Sequence, residues 1–418
     1  MPFYKVSKKC RLCLSKNIKT GLKLKKIPIG EKYFLSQKKA KTQKKIPLTI
    51  SWCAHCKNVQ LNEVINSKNL WNNYTYFSSQ TKAILDHFND VSKIILKRFN
   101  LDKNDLVFDI GSNDGSLLNY FKKQKIKVLG IDPAANVVKF ANEKGIKTIK
   151  GIFDYKISKL ICKKYKKAKI ITAFNVFAHT ENIRGMLRGI KNLLSDDGIF
   201  IFEVQYLKDI YKNKILGTFF HEHMYHHSVT SLNKLLQSFD MTLFDIKKVN
   251  IQKGSIIGFV SKKKRKVSNE MKKMLIDEKL NKFTNYNKLL NFQRFINFQQ
   301  KKSKKILSKY KNKVVAGYGS ARSGPSLACN FGIDKDLKYL FDDHKLKVSK
   351  FSSLNGLKVL PTKFINILNP KLSIILAYLH SKKIIKKNIK YLQNGGNFML
   401  IFPTPHLINL KNYKKFIN

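Results

Sequence analysis

Leu106-Val107-Phe108-Asp109-Ile110-Gly111-Ser112-Asn113-Asp114-Gly115-Ser116, followed by Val128-Leu129-Gly130-Ile131-Asp132-Pro133, decides the fold of this 418-residue chain. The first run is short and apolar and ends in a turn of small residues, as a buried strand does before a helix. The second is another apolar run that ends on a carboxylate. Strand, small-residue turn, helix and a strand closing on an acid together open a doubly wound α/β nucleotide site. Asp132 lies 21 positions beyond Gly111, close to the spacing at which an acid bonds both hydroxyls of a ribose. The expected ligand therefore carries an unphosphorylated ribose.

The turn narrows the ligand further. In dinucleotide enzymes the helix N-terminus after such a turn receives a pyrophosphate, which a carboxylate just before the turn would repel. Asp109 occupies that place. S-adenosylmethionine has no phosphate and carries a sulfonium and an ammonium, so an acid here attracts it. The pattern Asp-x-Gly-x-Asn-x-Gly also resembles motif I of class I methyltransferases, with Asn113 where a second glycine is usual; Asn tolerates positive φ. Asp109, Gly111, Ser112, Asn113, Gly115, Asp132 and Pro133 are the expected cofactor contacts.

A chain of this length buries a substantial core and divides into two or three domains. Its hydrophobic fraction of 43% is that of a globular protein. No apolar run approaches the ~20 residues that span a bilayer, and the start lacks a signal-peptide core. A cytoplasmic protein without membrane association is expected. The net charge of +56 invites a nucleic-acid reading. The lysines, however, are spread over every segment and mixed with Ile and Asn. That spread fits a general composition bias with solvated lysines better than a dedicated polyanion surface. The field still favours anionic small substrates such as sugar nucleotides.

Near the start, Cys10-x-x-Cys13 and Cys53-x-x-Cys56 are separated by 39 residues. Two such knuckles place four thiolates to close a tetrahedron on Zn²⁺. The gap exceeds that of a compact zinc ribbon and leaves room for strands within residues 21–34 and 46–52. His55 lies inside the second knuckle as an alternative ligand or a solvent-facing side chain. A disulfide pair is the other reading, disfavoured in a reducing compartment. With four ligand positions filled and no acid beside them, the metal is read as structural. Tyr74-Thr75-Tyr76-Phe77-Ser78-Ser79 then leads into an amphipathic helix over 81–99, as a hydrophobic staple or core would.

From 108 to 260 the order of elements resembles that of the class I methyltransferases. Strands are expected at 106–110, 127–131, 147–150, 170–175, 198–204, 241–249 and 255–260, the last two an antiparallel pair. Asp154, after the third strand, stands where such proteins hold the adenine amino group, or else is a surface acid. Asn175-Val176-Phe177-Ala178-His179-Thr180 closes the fourth strand at the carboxyl edge, where open α/β sheets bind ligands.

Four of the chain's ten histidines fall in Phe219-Phe220-His221-Glu222-His223-Met224-Tyr225-His226-His227. One reading is a metal site, but His-Glu-His lacks the i, i+4 spacing of a helical zinc site. The other is a carboxylate that orients and polarises one imidazole as a general base. The second fits better, because core or capping histidines are not expected to cluster so. Beyond 260 a basic run and long Lys- and Phe-bearing helices reach about 310. Val314-Val315-Ala316-Gly317-Tyr318-Gly319-Ser320-Ala321-Arg322-Ser323-Gly324 then opens a second Rossmann-like domain, with strands at 313–317, 337–341, 356–359, 372–376 and 397–402.

With these motifs in order, the whole chain resembles the sugar C-methyltransferase family, which acts on nucleotide-linked keto-deoxysugars. The resemblance implies a zinc-binding domain over 1–72, an S-adenosylmethionine domain over 73–260, and linker helices with a Rossmann-like domain over 261–418. It implies His223 as the base that removes a proton next to the ketone, with Glu222 beside it, and Tyr76 and His179 lining the sugar. One departure stands out: many members have Tyr immediately before His-Glu-His, where this chain has Phe220. Phe can neither donate to an enolate nor move a proton, so Tyr225 or His179 is expected to take that duty. The other readings are a nucleic-acid-binding or RNA-modifying protein using its basic surface, and a catalytically silent cofactor-binding scaffold.

Overall fold

The computed structural model describes residues 3–71 and 74–417. The boundary expected at 72/73 lies outside the described residues. The chain divides into two compact units. Met1–Lys19, Ser51–Asp209 and Met224–Tyr286 form the first, and Thr20–Ile50, Ile210–His223 and Asn287–Asn418 the second.

Among the described residues the first unit holds seven strands in one sheet: Leu106–Ile110 (β1), Lys127–Asp132 (β2), Thr148–Lys150 (β3), Ala168–Phe174 (β4), Leu194–Gln205 (β5), Thr242–Val249 (β6) and Ser255–Ser261 (β7). Their order across the sheet is β3-β2-β1-β4-β5-β7-β6. β1 to β5 pair in parallel, while β7 runs antiparallel to both β5 and β6. All seven expected strands are present, displaced by a few residues at some ends. The reason is the near-continuous burial of β1, β4 and β5, whose two faces are both covered. One core layer joins Val107, Ile170, Ile199 and Ile201 to Leu117, Leu118 and Phe121 of the helix Ser116–Lys123, and to Ile84, Phe88 and Ile95 of the helix Lys82–Phe99. The strand order reverses between β1 and β4, which puts the ligand crevice at their carboxyl ends.

The second unit is organised by an eight-stranded sheet. From one edge its order is His406–Ile408, Phe398–Leu400, Leu372–Ile375, Val315–Tyr318, Leu337–Phe341, Lys358–Leu360, Phe351–Ser352 and Tyr33–Phe34. The five strands from Phe398–Leu400 to Lys358–Leu360 are parallel, as expected of a Rossmann-like domain. Tyr33–Phe34 adds at the far edge by pairing antiparallel with Phe351–Ser352, an addition with no sequence signal. Among the described residues no helix is long and apolar enough to cross a membrane.

Candidate active site

In the first unit the turn after β1 is shaped for a ligand. Gly111 has φ +68°, and a Cβ there would lie 2.3 Å from Val176 Cγ2. Gly115 has φ +76°, and its Cβ would meet Ile146 Cγ2 at 2.7 Å. Neither position accepts a side chain without strain or collision. Asn113 also has positive φ, 51°, a conformation that Asn tolerates better than most residues.

Two buried acids flank this turn. Asp109 accepts from Thr172 Oγ1 at 2.6 Å, and burial pushes its pKa up to about 7. Asp132 accepts the Asn113 N–H at 3.0 Å on one oxygen and the Ala134 N–H at 2.9 Å on the other. Burial raises it to about 6, against the pull of those two N–H groups. Each Asp132 oxygen keeps a lone pair for a ribose hydroxyl. A cationic ligand over Asp109 would draw that group back to its ionised form. Ser112 is buried in the turn, and Pro133 is half-buried after β2.

Tyr74-Thr75-Tyr76-Phe77-Ser78-Ser79 crosses this turn rather than serving as a simple staple. Asn113 Oδ1 accepts the Ser78 N–H at 3.0 Å and Asn113 Nδ2 donates to the Tyr76 carbonyl at 3.1 Å. Asp114 Oδ2 accepts the Ser79 N–H at 2.8 Å. Asn136 Nδ2 donates to the Tyr74 carbonyl at 2.7 Å, and Phe77 packs edge-on to Phe140. The Tyr76 side chain is 38% exposed, so the strap holds it by its backbone. The signal for this was the polar pair Asn113-Asp114 in a turn that ordinarily carries glycine.

At the end of β4, Asn175 adopts φ +57° and donates through Nδ2 to Glu203 Oε1 at 3.1 Å. Glu203 is fully buried in β5, and its other oxygen meets His87 Nε2. Both partners were missed: Glu203 sits in a continuous apolar run, and His87 is one polar position on an amphipathic helix. His179 is half-buried, with its ring 6.0 Å from that of Trp71. Asp154 caps the helix Tyr155–Lys164 by accepting the Ile157 N–H at 2.9 Å on Oδ1.

Also in the first unit, the Sγ atoms of Cys10, Cys13, Cys53 and Cys56 all lie within 4.8 Å of one another. Cys10 and Cys56 stand 3.5 Å apart and Cys13 and Cys53 3.6 Å. A tetrahedral Zn²⁺ with bonds of about 2.3 Å needs edges of roughly 3.8 Å, so the tetrad fits a structural zinc. The cysteines are free rather than bridged. Among the described residues this is the only group of metal-ligating side chains, so the metal reading of the histidines has no support. His55 is exposed on the knuckle. Arg11, between the first two cysteines, donates to the Tyr225 hydroxyl at 3.2 Å and the Met224 carbonyl at 2.7 Å. Tyr225 is thus fully buried beside the zinc module.

The histidine segment is not one cluster. His227 is a core residue, stacked between Phe177 and Tyr225, and burial lowers its pKa to about 4. His226 continues a short strand paired with Val59. His221, in the second unit, faces the Pro47 carbonyl through Nε2 at 3.1 Å, and burial lowers it to about 4. Structural histidines do cluster here, contrary to the expectation, because a turn rich in aromatics buries each against a different neighbour.

His223 differs. Its Nδ1 lies 2.7 Å from the Thr218 carbonyl and 2.9 Å from Thr218 Oγ1, and the Phe220 ring packs at 4.1 Å between centroids. The ring is oriented by a backbone carbonyl where the sequence suggested Glu222. The Glu222 carboxylate receives Arg322 Nη1 instead. Burial raises the pKa of Glu222, and the Arg322 guanidinium opposes that rise. Arg322 was visible in the second glycine turn but was not singled out, because the sequence does not show which acid it meets.

Three sequence families match successive parts of the chain: a zinc binding domain over residues 10–71, a methyltransferase domain over 85–246 and a C-methyltransferase C-terminal domain over 250–403. The chain is similar to C-methyltransferase NovU of Streptomyces niveus, 29% identical over 380 residues and covering 88% of both chains. Among solved structures it is similar to an S-adenosylmethionine-dependent methyltransferase from Clostridium acetobutylicum ATCC 824, with 16% identity over 42% of this chain and 91% of that one, at a TM-score of 0.34. Magnesium protoporphyrin IX methyltransferase of Synechocystis PCC 6803, with bound SAH, matches at 16% identity over 47% of this chain and 92% of that one, at a TM-score of 0.34. Zinc module, methyltransferase sheet and C-terminal domain follow one another in the matched order, and the chain is an S-adenosylmethionine-dependent methyltransferase that is similar to C-methyltransferases.

Proposed function

We propose that the acceptor is a nucleotide-linked keto-deoxysugar, methylated on the carbon next to its ketone, with His223 as the base. The observation that supports this most is the His223 ring. With its Nδ1–H given to the Thr218 carbonyl, the lone pair lies on Nε2. Burial holds its pKa down to about 4, so the ring is neutral, in the proton-accepting form, at physiological pH.

S-adenosylmethionine supplies an electrophilic methyl group when bound. His223 takes the proton from the substrate carbon, and the electron pair moves onto the ketone oxygen to give an enolate. The bound cofactor would supply the methyl group that this carbon takes up, with the sulfur keeping the electron pair of the broken methyl–sulfur bond. Asp132 is assigned to the cofactor ribose, Asp109 to its cationic end, Asp154 to its adenine and Asn175 to the floor of its pocket. Tyr76 and His179 are assigned to the sugar. The Tyr225 hydroxyl is already engaged by Arg11, which favours His179 as donor to the enolate oxygen. The positive field of the chain favours the anionic nucleotide carrier.

Labelled cofactor and a panel of nucleotide-linked ketosugars test the reading. Methyl label bonded to carbon is expected, and a ketone-reduced acceptor is expected to receive none. His223→Ala is expected to lower turnover by about 10²–10⁴-fold, the span of general-base catalysis, with cofactor affinity unchanged. Label on oxygen alone, or intact turnover by that variant, defeats it.

A further inference from the structure

The second glycine turn, after Val315–Tyr318, copies the cofactor turn in outline. Gly319 has φ +91°. Asp342, after the next strand, accepts the Ser320 N–H at 2.8 Å and the His344 N–H at 2.9 Å, as Asp132 accepts those of Asn113 and Ala134. The contents of the turn are different. A Cβ on Gly30 would lie 2.3 Å from the Arg322 carbonyl oxygen, so the 30–33 segment presses directly on this turn. Tyr33 Oη donates to the Ser320 carbonyl at 2.7 Å, and Lys347 Nζ donates to the same oxygen at 3.0 Å. The chain closes the turn with its own side chains.

What the turn presents is Arg322. One arm of its guanidinium goes to Glu222 and the other to Glu31 Oε2 at 3.5 Å. Glu31 is held from behind by Lys347 Nζ at 2.7 Å. Four residues further along, Ser326 Oγ donates to the Phe219 carbonyl at 2.7 Å. The loop that carries His223 is thereby gripped at 219 and 222 by the segment that follows the glycine turn.

We propose that Arg322 is a positioning residue for methyl transfer, clamping Glu222 and Glu31 so that the loop presents His223 in one orientation. A guanidinium suits this task because its planar fork holds two carboxylates in a fixed geometry, which a compact, rotatable ammonium does not. The groups that face Glu222 are Arg322, Glu31 and Lys32, with His221 and His223 on its own loop. Without Arg322, Glu222 would be left buried beside Glu31 and would take up a proton more readily.

The inference rests on the base reading above and is tested in the full-length, zinc-loaded protein. Arg322→Met is expected to lower kcat by about 100-fold while KM for the cofactor stays within about twofold, and Arg322→Lys to recover about tenfold of that loss. The acid limb of the pH–rate profile is expected to move upward in Arg322→Met. In the Glu222→Gln background, Arg322→Met is expected to add little, since both changes break the same clamp. If Arg322→Met does not fold, Arg322→Lys decides, because the clamp predicts a loss for it too. Wild-type kcat in either single variant, or losses that multiply in the double variant, overturns the proposal. If the wild-type protein methylates no ketosugar, the substrate reading itself fails and takes the proposal with it.

Discussion

Asn113 Oδ1 accepts the backbone N–H of Ser78 at 3.0 Å, and so ties the strap over 74–79 to the cofactor turn. A glycine in that place would allow the same positive φ but could not reach the strap. Asn113→Gly should remove this bond and its companion to the Tyr76 carbonyl, each worth about 1 kcal/mol net. A rise in the cofactor Kd of roughly tenfold or more is expected, with little change in melting temperature. Calorimetric titration checks it, and an unchanged Kd would detach the strap from cofactor binding.

Cofactor affinity should depend on pH in a definite sense. Burial raises Asp109 to about 7 and Asp132 to about 6, so in the ligand-free protein each carries a proton below its value. The cationic end of the cofactor binds ionised Asp109 and its ribose hydroxyls donate to ionised Asp132, so protons compete with the cofactor at both acids. Affinity is expected to be highest above about pH 7, to fall as pH drops through that value, and to fall again through about 6. Asp109→Asn is expected to flatten the upper step and to weaken binding by about 10–100-fold, the range for loss of a charged hydrogen-bond partner. Titrations across this pH range decide it; an affinity independent of pH would show that neither acid meets the cofactor.

Both glycine turns, the strands of the first sheet and the cysteine tetrad were legible because each rests on local chemistry. A buried parallel strand is a short apolar run, a positive-φ turn needs Gly or Asn, and two C-x-x-C knuckles make a tetrahedron. What escaped was contact between distant segments. Nothing near Glu222 indicates that its partner lies 100 positions away in Arg322, and nothing in β5 marks Glu203 as the partner of His87. The four clustered histidines misled for the same reason: proximity in sequence does not tell a core histidine such as His227 from one oriented by a carbonyl such as His223.

The zinc module can be tested apart from catalysis. Four thiolates at 3.5–3.6 Å across two of the edges should hold about one zinc per chain, and structural zinc contributes directly to folding. Cys56→Ala is expected to abolish stoichiometric zinc. It should also lower the melting temperature by about 3–5 °C, the shift that a loss of a few kcal/mol gives in a chain of this size. Because Arg11 links the Cys10–Cys13 knuckle to Tyr225 and Met224, the near-UV signal of the aromatic side chains should change in step with zinc release. Metal analysis and melting curves check this; full stability without zinc would show that the tetrad is dispensable.

Glu203 and His87 offer the sharpest stability test. Glu203 is fully buried, with one oxygen on Asn175 Nδ2 and the other on His87. Removing one partner of a buried hydrogen-bonded pair leaves the other polar group unsatisfied, which costs about 1–3 kcal/mol. His87→Ala is therefore expected to lower the unfolding free energy by that order. His87→Ala combined with Glu203→Gln should recover much of it, because a neutral amide can still accept from Asn175. The pair also fixes Asn175 in its left-handed conformation at the carboxyl end of β4, the edge that receives the cofactor. His87→Ala should thus raise the cofactor Kd as well as weaken the fold, although His87 itself lies on the helix Lys82–Phe99. Denaturant melts with and without cofactor separate the two effects. Equal destabilisation in the single and double variants would mean that His87 acts by packing alone and that Glu203 does not need it as a hydrogen-bond partner.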